Sequence, residues 1–231
     1  MSDVAATPFQ LETPGQPAVR GFLHQPAGGG TGAARGDAPA GLVLTHGAGG
    51  NCRAPLLVAV ARAFAERAGL ALRCDLPYRQ ARATGPPGAG GAERDRAGLA
   101  AAVAALRGLG AARVVLGGLS YGGRQSTVLA AERPDIADAL LLLSYPLHPP
   151  GKERQLRTAH FPRLTTPAVF VHGTRDPFGT IEELRAALAL IPSPTELLVV
   201  EGVGHDLSRR GAAAAGGHAD IAGRALAALQ L

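Results

Sequence analysis

One serine with glycine on both sides stands where an apolar segment gives way to a helical pattern. Residues 117–123 read Gly-Gly-Leu-Ser-Tyr-Gly-Gly, with Ser120 at their centre. The preceding residues 113–117 are mostly β-branched and apolar, and residues 124–132 have the spacing of a helix start. A Gly-x-Ser-x-Gly frame in this context is typical of a nucleophile elbow, a sharp strand-to-helix turn that presents the serine hydroxyl. The flanking residues must be glycine because larger side chains would collide in so tight a turn.

Two later segments supply the groups that such a serine needs. A serine hydroxyl becomes a nucleophile when a base accepts its proton and a carboxylate orients that base. Asp176 follows the apolar segment 168–172, and His205 follows the apolar segment 196–200. The order serine, acid, histidine is the one known for elbow serines. We therefore predict that Ser120, Asp176 and His205 form a catalytic triad.

A triad also requires backbone N–H donors for the oxyanion of the tetrahedral intermediate. One donor is expected from Tyr121, which follows the serine. The second is expected from the glycine-rich residues 45–50, where Ala48 is the first choice and Gly49 the alternative. The candidates for contact with a substrate are Gly49, Tyr145, His148, Phe178 and Arg124.

Several other residues compete for these roles. His46 and His172 also end apolar segments, but neither follows the acid in the chain, so we interpret them as structural or supporting residues. Asp75 is an alternative acid, although it precedes the serine. His160 is interpreted as a loop residue that either faces solvent or touches substrate. Arg124 lies one helical turn after Ser120, where an arginine forms an ion pair by default and otherwise binds an anionic group.

The predicted elements alternate along the chain. Strands are predicted at 19–24, 41–46, 70–74, 113–117, 139–144, 168–172 and 196–200, and helices at 55–68, 92–109, 124–132, 181–190 and 219–231. This alternation indicates an α/β fold with a mostly parallel sheet that helices cover on both faces. Residues 26–40 and 79–91 are predicted as Gly- and Pro-rich loops, and residues 146–162 as an irregular segment that could form a small lid. No insertion is long enough for a large cap domain.

Length and composition narrow the function classes. The 231 residues fit one domain, with 1–17 expected as a loosely ordered N-terminal segment. The apolar segments are too short or too interrupted by charge to span a membrane, and the first residues lack a signal sequence, so we expect a cytoplasmic protein without membrane partners. The net charge is +5, but the arginines are scattered and Lys152 is the only lysine, so no nucleic-acid partner is expected. The two cysteines lack metal-ligand spacing, and we expect no cofactor and no metal.

Five segments resemble the KANSL/testis-expressed α/β-hydrolase-like family, which is related to dienelactone hydrolase. They are residues 45–50, 117–124, 143–151, 172–179 and 204–207, and the most diagnostic are Ser-Tyr-Pro-Leu-His-Pro-Pro-Gly (144–151) and His-Gly-Thr-Arg-Asp-Pro-Phe (172–178). The resemblance covers residue 18 to the end and implies an α/β-hydrolase fold, with Ser120, Asp176 and His205 at the triad positions. It names no substrate. One departure is Tyr121, where relatives often carry a small or sulfur-containing residue.

Two functions follow from these observations. The first is a serine hydrolase that cleaves a small acyl ester, lactone or thioester through an acyl-enzyme, with a small molecule as its partner. The second is a catalytically silent scaffold, because the family includes members of chromatin-modifying assemblies and a fold alone does not establish catalysis. Retention of all three triad residues and of the glycine-rich loop favours the hydrolase.

Overall fold

The structure, a computed structural model, describes residues 4–25, 39–208 and 217–229. Most of the predicted loop over 26–40 lies outside the described residues, as do residues 1–3 and the last two residues of the predicted C-terminal helix.

Eight strands and six α-helices make up the described chain. The strands are β1 (Ala5–Leu11), β2 (Val19–Gln25), β3 (Ala40–Thr45), β4 (Gly69–Cys74), β5 (Arg113–Leu119), β6 (Ala139–Leu143), β7 (Ala168–Gly173) and β8 (Thr195–Val200). The helices are α1 (Pro55–Arg67), α2 (Pro77–Ala81), α3 (Ala92–Gly108), α4 (Tyr121–Glu132), α5 (Ile181–Leu188) and α6 (Gly217–Ala228). Short 3-10 turns follow α4 and precede β7.

All eight strands form one sheet in the order β1-β2-β4-β3-β5-β6-β7-β8. The six strands β3 to β8 pair in parallel, and β2 is reversed, since it pairs antiparallel with both of its neighbours, β1 and β4. The predicted α/β class with a mostly parallel sheet is confirmed.

The core lies on both faces of this sheet, which explains why its strands are apolar without alternation. In β6, Leu140 and Leu142 contact the cluster that includes α3, α4 and α5, while Leu141 and Leu143 contact the cluster that includes α1 and α6. All four side chains are fully buried. Because the strands β3 to β8 are parallel, their carboxyl ends lie at one edge of the sheet. In α/β folds, the loops that bear functional residues converge at this edge.

The structure corrects the expectation for the N-terminus. Residues 5–11 form strand β1, which pairs along its whole length with β2. Their side chains are mostly exposed, so the strand depends on backbone pairing and leaves no apolar pattern to detect. The short helix α2 was also not predicted, because five residues that begin with proline carry too little periodicity.

Because β5 packs closely against β6, we predict that a side chain at Gly117 lowers the stability of the protein. A Cβ atom at this position would overlap the backbone carbonyl of Leu141, which belongs to a buried strand and cannot move aside. We expect Gly117→Ala to lower the free energy of unfolding by about 2 kcal/mol or more, as overpacking does. Urea unfolding measures the loss. The control is Gly108→Ala in α3, where nothing lies within 4 Å of the new Cβ and stability should change by less than about 1 kcal/mol. Equal stability of the two variants would contradict the described strand contact.

Candidate active site

Ser120 occupies the turn between β5 and α4 in a left-handed backbone conformation, with φ 50° and ψ −114°. Non-glycine residues rarely adopt this conformation, and it is retained only where the surroundings enforce it. Two backbone hydrogen bonds do so here. The N–H of Ser120 donates to the carbonyl of Leu143 at 2.8 Å, and its carbonyl accepts from the N–H of Arg124 at 2.9 Å.

The glycines around Ser120 let the turn pack against the end of β3. A Cβ atom at Gly118 would lie 2.5 Å from the carbonyl oxygen of Thr45. At Gly122 it would lie 2.5 Å from Cγ2 of Thr45 and 2.7 Å from the carbonyl oxygen of His46. All three distances are shorter than real Cβ contacts, so the glycine frame in the sequence is a steric requirement of this fold.

Ser120, His205 and Asp176 lie in one hydrogen-bonded row. Nε2 of His205 is 2.7 Å from Oγ of Ser120, and Nδ1 of His205 is 2.8 Å from Oδ2 of Asp176 and 3.0 Å from Oδ1. The carboxylate accepts the Nδ1 proton, which leaves Nε2 as an acceptor for the serine hydroxyl. This is the arrangement in which an imidazole can take a proton from the hydroxyl.

Asp176 is held by its own loop. Its side chain is fully buried, and Oδ1 accepts from the N–H of Phe178 at 2.9 Å. The buried ring of His172 approaches Oδ2 to 3.7 Å while its Nε2 donates to the carbonyl of Gly179 at 2.8 Å. The ring of Phe178 stacks on His205 with centroids 4.1 Å apart. One loop thus fixes the carboxylate and also supports one face of the imidazole.

Backbone hydrogen bonds join the loops that carry Asp176 and His205. The N–H of Arg175 donates to the carbonyl of Val203 at 2.9 Å, and the hydroxyl of Thr174 accepts from the N–H of Gly202 at 2.9 Å. These bonds continue the pairing of β7 with β8 beyond the strand ends. The distance between the two side chains is therefore set by the sheet.

A second network holds residues 46–50, the loop after β3. Nε2 of the buried His46 accepts from the N–H of Leu76 at 3.1 Å, so its Nδ1 carries the proton and donates to the carbonyl of Gly47 at 2.9 Å. Burial lowers the pKa of His46 and keeps its ring neutral. The hydroxyl of Tyr78 donates to the carbonyl of Ala48 at 2.9 Å. These contacts agree with the structural interpretation of His46.

Arg79 is a further support of this loop that the sequence did not reveal. Its buried guanidinium donates to four backbone carbonyls, those of Gly50 at 2.7 Å, Gly85 at 2.9 Å, and Ala48 and Arg82 at 3.2 Å each. A planar guanidinium with five donors is suited to bind four carbonyls that lie in different directions. Because its single backbone carbonyl accepts from both Arg79 and Tyr78, Ala48 is fixed beside Ser120.

The ring of Tyr121 is anchored beneath the same loop. Its hydroxyl donates to Oδ2 of the buried Asp95 at 2.8 Å, and Oδ1 of Asp95 accepts from the N–H of Tyr78 at 3.1 Å. Burial and the bond to Asp95 raise the pKa of Tyr121, so its phenol stays protonated. The large residue after the serine, Tyr121, is thus accommodated because its hydroxyl reaches Asp95 on α3.

The cleft beside Ser120 has a volume of about 320 Å³ and is lined by Ala48, Ser120, Tyr121, Arg124, Pro146, Arg157 and Phe178. Of the candidate substrate contacts, Phe178 and Arg124 therefore border the cleft. Gly49 is exposed outside its lining. Pro146 and Arg157 were not expected, because nothing in an irregular segment predicts which of its residues turn inward.

Two candidate contacts are corrected by their burial. The ring of Tyr145 is fully buried in the core, and its hydroxyl donates to the carbonyl of Arg157 at 2.7 Å. His148 is also buried, with Nδ1 2.9 Å from the carbonyl of Pro149 and Nε2 3.4 Å from Oε2 of Glu183. Neither side chain lines the cleft. Both fix the segment 146–162, which packs as one wall of the cleft.

Other competing residues have structural contacts. His160 is buried with Nε2 2.8 Å from the hydroxyl of Thr127, and burial together with Arg124 lowers its pKa to about 4. Asp75 accepts from the N–H of Cys52 at 2.6 Å, and burial raises the pKa of the Cys52 thiol to about 12.

Among the described residues, no cluster of three or more histidine, cysteine or acidic side chains could hold a metal ion. In the same part of the chain, none of the helices combines the length and apolar character needed to cross a membrane.

Comparison with known proteins agrees with this architecture. Residues 38–229 match the family model described as "Alpha/beta hydrolase domain", and the chain belongs to that family. Its fold is the α/β-hydrolase fold, and the protein is an α/β hydrolase.

Solved structures with the same fold cover nearly the whole chain. A dienelactone hydrolase from Anabaena variabilis ATCC 29413 is 19% identical with a TM-score of 0.72, and the alignment covers 96% of this chain and 95% of that one. An alpha-beta serine hydrolase homologue from Coxiella burnetii is 17% identical with a TM-score of 0.72, covering 99% and 98%. Est1E from Butyrivibrio proteoclasticus, solved with ferulic acid bound, is 18% identical with a TM-score of 0.72, covering 95% and 99%.

The contacts of Arg79 predict a role in positioning the loop beside Ser120. We expect Arg79→Gln to lower kcat for hydrolysis of a test substrate by about tenfold or more, since backbone groups beside Ser120 lose their fixed position. Arg79→Lys should not restore the rate, because the three donors of a compact ammonium group cannot replace the four hydrogen bonds that the planar guanidinium makes. Steady-state kinetics with para-nitrophenyl acetate measure kcat and KM separately. The control is Arg82→Gln at an exposed neighbouring side chain. An unchanged kcat in a folded Arg79→Gln protein would show that the hydrogen bonds of Arg79 do not position the site.

Proposed function

We propose that the protein is a serine hydrolase that cleaves a small acyl ester, lactone or thioester through an acyl-enzyme on Ser120. The observation that carries this proposal is the row of hydrogen bonds from Asp176 through His205 to Oγ of Ser120. The strained backbone at Ser120 supports it, because such strain persists mainly where function requires it.

In the first half of the reaction, Oγ of Ser120 attacks the carbonyl carbon while Nε2 of His205 accepts the hydroxyl proton. Asp176 holds the Nδ1 proton and stabilises the imidazolium that forms. The oxyanion is bound by the backbone N–H groups of Tyr121 and Ala48. Collapse of the tetrahedral intermediate breaks the bond to the leaving group, which takes the proton from Nε2 and departs as an alcohol or thiol.

In the second half, water replaces the leaving group. Nε2 of His205 accepts a proton from this water as its oxygen attacks the acyl carbon. A second tetrahedral intermediate forms in the same oxyanion site. Its collapse releases the carboxylic acid and returns the proton to Oγ of Ser120, which restores the free enzyme.

The size of the cleft supports a small-molecule substrate. A volume of about 320 Å³ is at the lower end for ligand pockets. Phe178 and Pro146 supply apolar walls for an acyl chain or an aromatic ring.

We also propose that the chain lies within the KANSL/testis-expressed group of α/β-hydrolase-like proteins. The two most diagnostic segments of that resemblance carry Pro146 of the cleft wall and Asp176 with Phe178. The segments that distinguish the group therefore border the proposed reaction site.

Labelling with a fluorophosphonate probe tests the nucleophile. We expect the intact protein to be labelled and Ser120→Ala to lose all labelling, because the probe bonds covalently to an activated serine. In-gel fluorescence and mass spectrometry of the modified peptide measure this. The matched control is Ser126→Ala on α4, the helix that follows Ser120. The hydroxyl of Ser126 donates to the carbonyl of Gly122 at 2.9 Å, and its removal should leave labelling intact. Absence of labelling in folded wild-type protein would instead favour the scaffold.

Replacement of the acid tests the row of hydrogen bonds. We expect Asp176→Asn to lower kcat for ester hydrolysis by roughly three to four orders of magnitude, because an amide donor at Nδ1 leaves the proton on Nε2. Asp206→Asn is the control, since this exposed carboxylate lies next to His205 in sequence but bonds only to Ser208 among the described residues. Equal rates for the two variants would exclude Asp176 as the orienting acid.

A further inference from the structure

Two arginines border the cleft beside Ser120, and no acidic residue is part of its lining. Arg124 projects from the first turn of α4, four residues after the serine, and Arg157 projects from the opposite segment after β6. An arginine at a cleft wall normally has a carboxylate or several carbonyls as partners, because its five donors are costly to leave unbound.

Arg124 has no such partner within the described residues. Its Nε atom is shielded from solvent without a hydrogen-bond acceptor, and its guanidinium forms no ion pair in residues 4–25, 39–208 and 217–229. The ion pair expected by default at this position is therefore not found in the described chain.

The backbone of Arg157 is fixed by hydrogen bonds, while most donors of its side chain have no partner among the described residues. Its N–H donates to the carbonyl of Leu147 at 2.8 Å, and its carbonyl accepts from the hydroxyl of Tyr145 at 2.7 Å. The side chain makes one long hydrogen bond, from Nη1 to the carbonyl of Pro146 at 3.3 Å. The backbone of Arg157 is thus fixed at the border of the cleft, and the remaining donors of its guanidinium stay available to a ligand.

Arg79 shows what a structural arginine looks like in the same protein. Its guanidinium donates four hydrogen bonds to backbone carbonyls around the neighbouring loop. Arg124 and Arg157 lack such saturation, although both border the cleft. The difference separates an arginine that supports a loop from one that can bind a substrate.

The two cleft arginines also act on each other. Burial lowers the pKa of Arg157, and the positive charge of Arg124 lowers it further. Two like charges held close together raise the electrostatic potential of the cleft, and an anion that binds both relieves their repulsion.

We propose that Arg124 and Arg157 bind a carboxylate of the substrate while Ser120 attacks its ester, lactone or thioester carbonyl. This inference rests on the proposed function and narrows it to acyl compounds that carry a negative charge. The pair of planar guanidinium groups suits a carboxylate because each can donate two parallel hydrogen bonds to it.

Two pairs of esters, each with one charged and one neutral member, test the preference for charge. Mono-para-nitrophenyl adipate and para-nitrophenyl hexanoate differ at the end of the acyl chain, which is a carboxylate in one and a methyl group in the other. We expect kcat/KM to be at least about tenfold higher for the adipate, as charge-assisted hydrogen bonds allow. A second pair, para-carboxyphenyl acetate and phenyl acetate, places the charge on the leaving group and shows which part of the substrate the arginines hold. No preference for the charged member of either pair would overturn the proposal.

Arginine variants test whether these residues cause the preference. Arg124→Gln and Arg157→Gln should each lower the ratio of kcat/KM for charged over neutral ester by about tenfold. Arg124→Lys retains the charge and should retain part of the ratio. Arg154→Gln is the matched control, since Arg154 is exposed in the same segment as Arg157 and should leave both rates unchanged. An unchanged ratio in folded Arg124→Gln and Arg157→Gln proteins would refute the assignment.

Binding without turnover separates this proposal from the proposed function. Isothermal titration of Ser120→Ala with adipate should detect binding that Ser120→Ala combined with Arg124→Gln loses. If wild-type protein hydrolyses no ester of either pair but adipate binding depends on Arg124, the serine mechanism fails and the anion site stands. If esters are hydrolysed without regard to charge and adipate does not bind, the anion site fails alone.

Discussion

The sharp turn at Ser120 is the constraint on which the rest of this structure depends. A left-handed residue between β5 and α4 brings the helix start so close to β3 that neither Gly118 nor Gly122 has room for a Cβ atom. The same contact places the loop after β3 directly beside the serine. A hydrogen bond from the Ser120 N–H to the end of β6 fixes the turn on its other side. Ser120 is thus held by the centre of the sheet.

Buried polar contacts fix the loops around that turn. Carbonyls of residues 46–50 are occupied by donors from Tyr78 and Arg79, and the ring of His46 joins this loop to Leu76. Such groups are stabilising only when every partner is present, because an unsatisfied buried polar atom is costly. Loops supported in this way hold their backbone N–H groups in place before a substrate arrives, which is what electrostatic stabilisation of an oxyanion requires.

Much of the fold was predictable because its signals are local. Strands buried on both faces are continuous apolar segments. All seven predicted strands lie within two residues of their observed bounds, six of them in the parallel part of the sheet and the seventh, β2, beside it. The strand at residues 5–11 left no signal because its stability comes from pairing with β2. Buried Tyr145 and His148 were misassigned because an irregular segment has no periodicity that tells inward from outward residues.

The sequence by itself determined the candidate site, since a serine in a glycine frame, an aspartate and a histidine follow three strands of one parallel sheet, whose ends lie at the same edge. Only the tertiary structure decided what surrounds them. Arg79 binds carbonyls of residues 48 and 50, which lie far from it in the chain, whereas Arg157 binds the carbonyl of Pro146 and Nε of Arg124 has no acceptor among the described residues. Residue type gives an arginine its charge and its five donors, but the partners that the fold brings within hydrogen-bonding distance determine whether those donors remain open to a substrate.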